Sequence, residues 1–141
     1  MLSVLDTPFE MSLRLLLLLS ESERTMTTDM LALTDTIAVF GANFGIADEN
    51  LHGEKAYVLD EFDARRELIK EALKLLVTQN LVRVKKYDDG FHYSVSDNGR
   101  TYCAEFDSEY AAEYLALAKK ASDYTQGKTE RELFKIMSKR T

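Results

Sequence analysis

Apolar side chains recur at helical spacing along most of this chain, and one stretch between residues 81 and 95 breaks that rhythm for a strand-like alternation. Thr7-Pro8-Phe9-Glu10 reads as a capping box with proline in the first turn, and it opens a helix to about Leu19. Glu10, Ser12 and Arg14 are nearly its only polar residues, which predicts a helix central to the core. A second helix starts near Thr25 or Thr27, buries Met30, Leu33, Ile37 and Phe40, and ends at Gly41 and Gly45. A third covers about Glu61 to Thr78, with Phe62, Ile69, Ala72, Leu73 and Leu76 inward and a charged outer side. The connection from Gly41 to Leu59, holding Leu51, His52 and Tyr57, is long for a helix-helix link.

The alternating stretch predicts a hairpin. With Asp89-Gly90 as a two-residue turn, Lys86 pairs with Tyr93 and Val84 with Val95. Val82, Val84, Tyr93 and Val95 then form the packed face, and Arg83, Lys85, Tyr87 and His92 the outward one. Ser96 or Asp97 caps a fourth helix to roughly Phe106. A fifth helical pattern carries Tyr110, Tyr114, Leu117, Ala118 and Ala121, and Thr129-Glu130-Arg131-Glu132 caps a short last helix. The order of helices, two-stranded wing and helix predicts a mainly α (α+β) winged helix-turn-helix over residues 1–106. Residues 107–141 are expected to form a C-terminal helical extension packing on that domain or on a partner.

Charge refines this picture. The net charge of −6 argues against a dedicated nucleic-acid binder, since phosphate contacts dominate such affinity. Residues 1–62 hold 3 basic and 11 acidic side chains, whereas residues 63–93 hold 7 and 5. The wing is therefore the basic part of an acidic chain, and Arg83, Lys85, Lys86 and His92 are the candidate nucleic-acid contacts. The third helix, where bases would be read, presents Glu67 and Glu71 outward, which disfavours sequence-specific reading.

Chemistry is sparse. His52 and His92 lie on different segments without a ligand-spaced neighbour, there is no glycine-rich phosphate loop, and Cys103 is the only cysteine. Glu67 and Glu71 alternate with Lys70 and Lys74 at ion-pair spacing, which favours a surface network over a metal site. These features predict no catalytic, cofactor or metal residues, and a single unpaired thiol points to a reducing, cytoplasmic home. The apolar run Leu13 to Leu19 is too short to span a membrane and lacks the flanking basic residues of a leader. Glu10, Arg14 and Asp35 are charges on apolar stripes, and such groups are paired when buried. Links among them, or to Arg65 or Arg66, would tie the long connection and its His52 to the core. Tyr110, Tyr114 and Leu117 are candidate interface residues, tyrosine being enriched at interfaces.

Residues Ala72 to Phe106 resemble the wing half of MarR- and PadR-type winged helices, through Asn80-Leu81-Val82 and Ser96-Asp97-Asn98-Gly99. Asn80 stands where glycine is common and accepts the same left-handed geometry. A narrower resemblance runs from about residue 7 to 106. Pro8-Phe9-Glu10 with Leu13-Arg14, Leu33-x-Asp35, Leu51-His52, Arg65-Arg66-Glu67-Leu68 and Leu81-Val82 are similar to class 2 middle components of bacterial ABC-three-component systems. Gly53 departs from that family's proline after Leu-His, and Asn43-Phe44-Gly45-Ile46-Ala47 replaces its Gly-Pro-rich connector. The resemblance implies a non-catalytic adaptor in an anti-phage or anti-plasmid defence complex. Its protein partners would be a RecN- or SMC-like ABC ATPase and an effector, with DNA touched weakly or non-specifically through the wing and no membrane contact. The alternative is a winged-helix transcriptional regulator, a homodimer on operator DNA with its third helices ~34 Å apart.

Overall fold

The computed structural model describes residues 7–53 and 58–139, except the side chains of Val58 and Leu59. Tyr57, in the middle connection, therefore lies outside the described residues. The elements are α1 (Pro8–Ser22), α2 (Thr28–Val39), a 3₁₀ turn (Gly41–Phe44), α3 (Val58–Thr78), β1 (Val82–Tyr87), β2 (Gly90–Val95), α4 (Asp97–Cys103), α5 (Glu109–Thr125) and α6 (Glu130–Lys139). The fold is mainly α (α+β) and winged-helix-like.

Helix starts follow the caps read from the sequence. Thr7 accepts from Glu10 N, Thr27 from Met30 N and Ser96 from Gly99 N, which occupies one orphan amide in each first turn. At α6 the capping box is complete, with Thr129 Oγ1 accepting from Glu132 N and Glu132 Oε1 from Thr129 N. The ends differ more. α1 continues to Ser22 and closes on Glu23 in the left-handed region, α3 begins at Val58, and α4 stops at Cys103 rather than Phe106.

α1 is the central rod. Met11, Leu15, Leu16, Leu18 and Leu19 lose all solvent exposure where α3 and α5 pack against it. α2 lies against the same two helices, so α5 closes the core over α1 and α2. Burial of these leucines and of Phe40, Phe62 and Ile69 is the main stabilising term, at roughly 1.5–3 kcal/mol per large side chain. No helix among the described residues is long and apolar enough to cross a membrane.

The wing register differs from the expected one by two residues. Val82 pairs with Val95, Val84 with Tyr93, Lys86 with Phe91 and Tyr87 with Gly90. Neither Asp88 nor Asp89 has positive φ, so the type I′ turn that Asp-Gly favours is not made. Asp88 and Asp89 form the loop instead, and Gly90, at φ 121°, begins β2. A two-residue shift leaves every side chain on its expected face. Val84 nonetheless stays 42% exposed, where a packed position was expected. Met26 exchanges both backbone hydrogen bonds with Tyr93, at 2.9 and 2.8 Å, adding a single-residue bridge beside β2.

The hairpin is anchored by two local devices. Asn80 takes φ 61°, as a glycine would, and turns α3 into β1. Gly99, buried in α4, brings its Cα against the Leu81 carbonyl, and a Cβ there would collide with that oxygen. Ser96 joins the two by donating to Asn80 O at 2.7 Å while capping α4.

Candidate functional site

The most chemically loaded place in the molecule is a buried set of charges between five segments. α1 supplies Arg14, α2 Asp35, α3 Arg65, the middle connection His52, and α5 both Tyr110 and Tyr114. Asp35 accepts from Arg14 Nε at 3.0 Å and Tyr114 Oη at 2.8 Å on one oxygen. On the other it accepts from Arg14 Nη2 at 3.3 Å and Arg65 Nη1 at 3.1 Å. Those contacts fill about the four lone-pair sites a carboxylate offers.

Arg14, Asp35 and Tyr114 are fully buried, and so is Arg65. A lone carboxylate at such a depth would be costly to ionise. Burial pushes the Asp35 carboxyl up, but the charges of Arg14 and Arg65 and the hydrogen bonds of Arg14 and Tyr114 outweigh it and hold it below the usual range. Burial alone would lower the Arg14 pKa, and the carboxylate beside it raises it instead. Burial and the adjacent Asp35 charge both push the Tyr114 phenol well up, so it stays a donor.

From Arg65 the chain of contacts continues outward. Its Nη2 lies 3.0 Å from His52 Nδ1, and His52 Nε2 lies 2.7 Å from Tyr110 Oη. The guanidinium also stacks over Phe40, 5.1 Å from the ring centroid, and Phe40 meets the His52 ring edge-on. Within residues 41–53, the His52 N–H donates to Val39 O and the Ala42 N–H donates to Asn50 Oδ1. Asp35 thus touches the helices directly and the middle connection through Arg65.

Arg66 and Glu10 lie outside this hydrogen-bonded set. Arg66 points to the surface and pairs with Asp29 at 2.8 Å. Glu10 lines a cleft of about 390 Å³ between α1 and the start of α5, together with Arg14 and Tyr110. Tyr110 is half-buried and Tyr114 has no exposed surface, so its hydroxyl serves Asp35 within the chain. Leu117 is half-buried on α5. Tyr114 as the donor that completes Asp35 was missed, because helical spacing places a tyrosine on a stripe without saying what its hydroxyl reaches.

On the wing, Arg83, Lys85 and Lys86 are exposed and His92 half-buried. Lys85 lies over the Tyr87 ring at 5.4 Å, Tyr87 packs on His92, and His92 Nε2 meets Asp89 Oδ1 at 2.8 Å. By register Arg83 and Lys85 share the outward face, whereas Lys86 stands opposite Phe91 on the other. Burial raises the Cys103 thiol pKa, the setting of an unreactive thiol. No group of three or more His, Cys, Asp or Glu among the described residues has a metal-holding arrangement.

One family model matches the chain, ABC-three component (ABC-3C) system Middle Component 2, over residues 4–141. No curated protein and no solved structure matches.

Proposed function

The chain belongs to the Middle Component 2 family of ABC-three-component systems, and from that premise we propose that it is a non-catalytic, winged-helix adaptor. It would join an SMC- or RecN-like ABC ATPase to an effector in the cytoplasm, in a defence-type complex. The observation that carries this reading is the family match over residues 4–141.

The site chemistry supports it. Asp35 has the polarity of a catalytic carboxylate, yet two guanidiniums and a phenol occupy its acceptor sites. A general base must instead be free to reach a substrate proton. The network's work is to bind five segments together and hold the His52 connection against α3 and α5. What the described residues have left to offer is surface: the exposed sides of α5 and α6, and the wing. Arg83 and Lys85 add weak, non-specific contact with a phosphate backbone.

Co-expression of the tagged chain with the proposed ATPase and effector components of its system tests the adaptor. Both should co-elute with it through a salt wash and gel filtration. Elution of the chain alone overturns the reading.

A further inference from the structure

Between α3 and the wing runs a groove of about 410 Å³, floored by Leu73, Val77 and Tyr93 and bordered by Val84, Phe91 and Lys74. In a winged helix this is where a nucleic acid would lie, but the surface here is apolar. Val84 is 42% and Phe91 54% exposed, so two large side chains face water beside each other on one face of the hairpin. Base edges are read by hydrogen-bonding side chains, and of the groove's residues only Lys74, Thr78 and Tyr93 carry such groups.

The charges around the groove are unevenly committed. Nearby carboxylates are engaged: Glu67 by Lys70 at 3.3 Å, Asp29 by Arg66 at 2.8 Å and Asp89 by His92 at 2.8 Å. Glu71 and Asp88 are exposed but do not line the groove. Lys74 borders it from α3, and Lys86 stands cross-strand to Phe91 on the same hairpin face. Neither ammonium has an ion-pair partner among the described residues. An apolar trough with Lys74 in its lining, and Lys86 just outside it beside Phe91, is complementary to an amphipathic polypeptide carrying carboxylates beside its apolar side chains.

We propose that the α3–wing groove is a protein-docking site, and that its occupant is an acidic amphipathic segment of one partner protein, seated on Val84 and Phe91 with its carboxylates on Lys74 and Lys86. This rests on the adaptor reading. It also separates two jobs on one hairpin, with polypeptide on the Lys86 face and any phosphate contact on the Arg83 and Lys85 face.

The test uses the co-expressed complex, with Phe91→Asp, the double variant Lys74→Glu/Lys86→Glu, and Phe9→Asp as a control at another exposed apolar side chain. The two groove variants should lower partner retention at least ten-fold while circular dichroism and melting stay close to wild type, and Phe9→Asp should retain the partner. Carbodiimide cross-linking of the wild-type complex should join Lys74 or Lys86 to a partner Asp or Glu in tryptic maps. Full retention by both groove variants overturns the groove and leaves the adaptor standing. Loss of duplex DNA binding by Lys74→Glu/Lys86→Glu with the partner still retained also overturns it, making the groove a nucleic-acid surface. A wild-type chain that retains no partner overturns the adaptor reading itself.

Discussion

Arg65 Nη2 lies 3.0 Å from His52 Nδ1, and because a guanidinium has no acceptor, that contact sets the tautomer of the histidine. Nδ1 must offer its lone pair, so the neutral ring carries its proton on Nε2 and donates it to Tyr110 Oη at 2.7 Å. Polarity therefore runs in one direction, from the arginine through the ring to the phenol of α5.

Replacing His52 should loosen the connection more than the fold. For His52→Ala we expect faster amide exchange at Ile46 and His52, whose N–H groups bond to Gly41 O and Val39 O, with little change in the α1 core. His52→Gln, which keeps a donor and an acceptor, should restore part of the protection. Hydrogen-exchange mass spectrometry reads both, and uniform exchange across the variants would show that the histidine holds nothing.

Asp35 should be the costliest polar residue to change. Asp35→Asn keeps the shape but leaves Arg14 and Arg65 buried against a neutral amide, which should cost about 3–5 kcal/mol in urea unfolding. Tyr114→Phe removes one donor to the carboxylate and should cost about 1–3 kcal/mol. A loss below ~1 kcal/mol for Asp35→Asn would mean that the carboxylate does not organise the core.

The same groups give a pH dependence with a defined sign. The folded Asp35 carboxyl titrates below its unfolded value of about 3.9. Its contribution is therefore whole above about pH 4 and is lost as the pH falls through the folded value. Tyr114 is shifted up, so its contribution is lost instead as the pH climbs past about 10, where the unfolded phenol ionises. The stability gap between wild type and Asp35→Asn should narrow from pH 7 to pH 3, and a constant gap would contradict the assignment.

The proposed phosphate contact rests on the outward wing face, where Arg83 and Lys85 lie together. Arg83→Glu/Lys85→Glu should weaken binding to any duplex, whatever its sequence, and reduce the salt slope by about 2 if both side chains meet phosphates. Fluorescence anisotropy over a salt series measures this, and unchanged affinity and slope would remove DNA from the wing.

Much of this was legible in the chain. Thr7 and Thr129 announce their helices because a cap is a local device, complete within four residues, whereas the bonds to Met30 N and Gly99 N decide for Thr27 over Thr25 and for Ser96 over Asp97. The positive φ of Asn80 is legible only from the glycine that similar winged helices carry there. The pairing of Arg14 with Asp35 could be anticipated because charges on apolar stripes need partners, but the choice of Arg65 over Arg66 could not. Those neighbours differ by one residue, and only the packing of α3 decides which is buried. The hairpin register was misread because Asp-Gly favours one turn while the Tyr87–Gly90 pair allows another. Met26 carries no signal, since a single bridging residue has no period. Tyr110 and Tyr114 reach His52 and Asp35 across 58 and 79 residues of chain, a distance over which spacing says nothing.

The central claim is that this chain works by holding other proteins together. Sedimentation velocity on the purified chain mixed with its proposed ATPase and effector partners tests it most directly, with and without a random-sequence duplex. The account predicts one faster boundary that contains all three proteins and forms without DNA. A chain that sediments alone in the protein mixture, and shifts only when duplex is added, would contradict it.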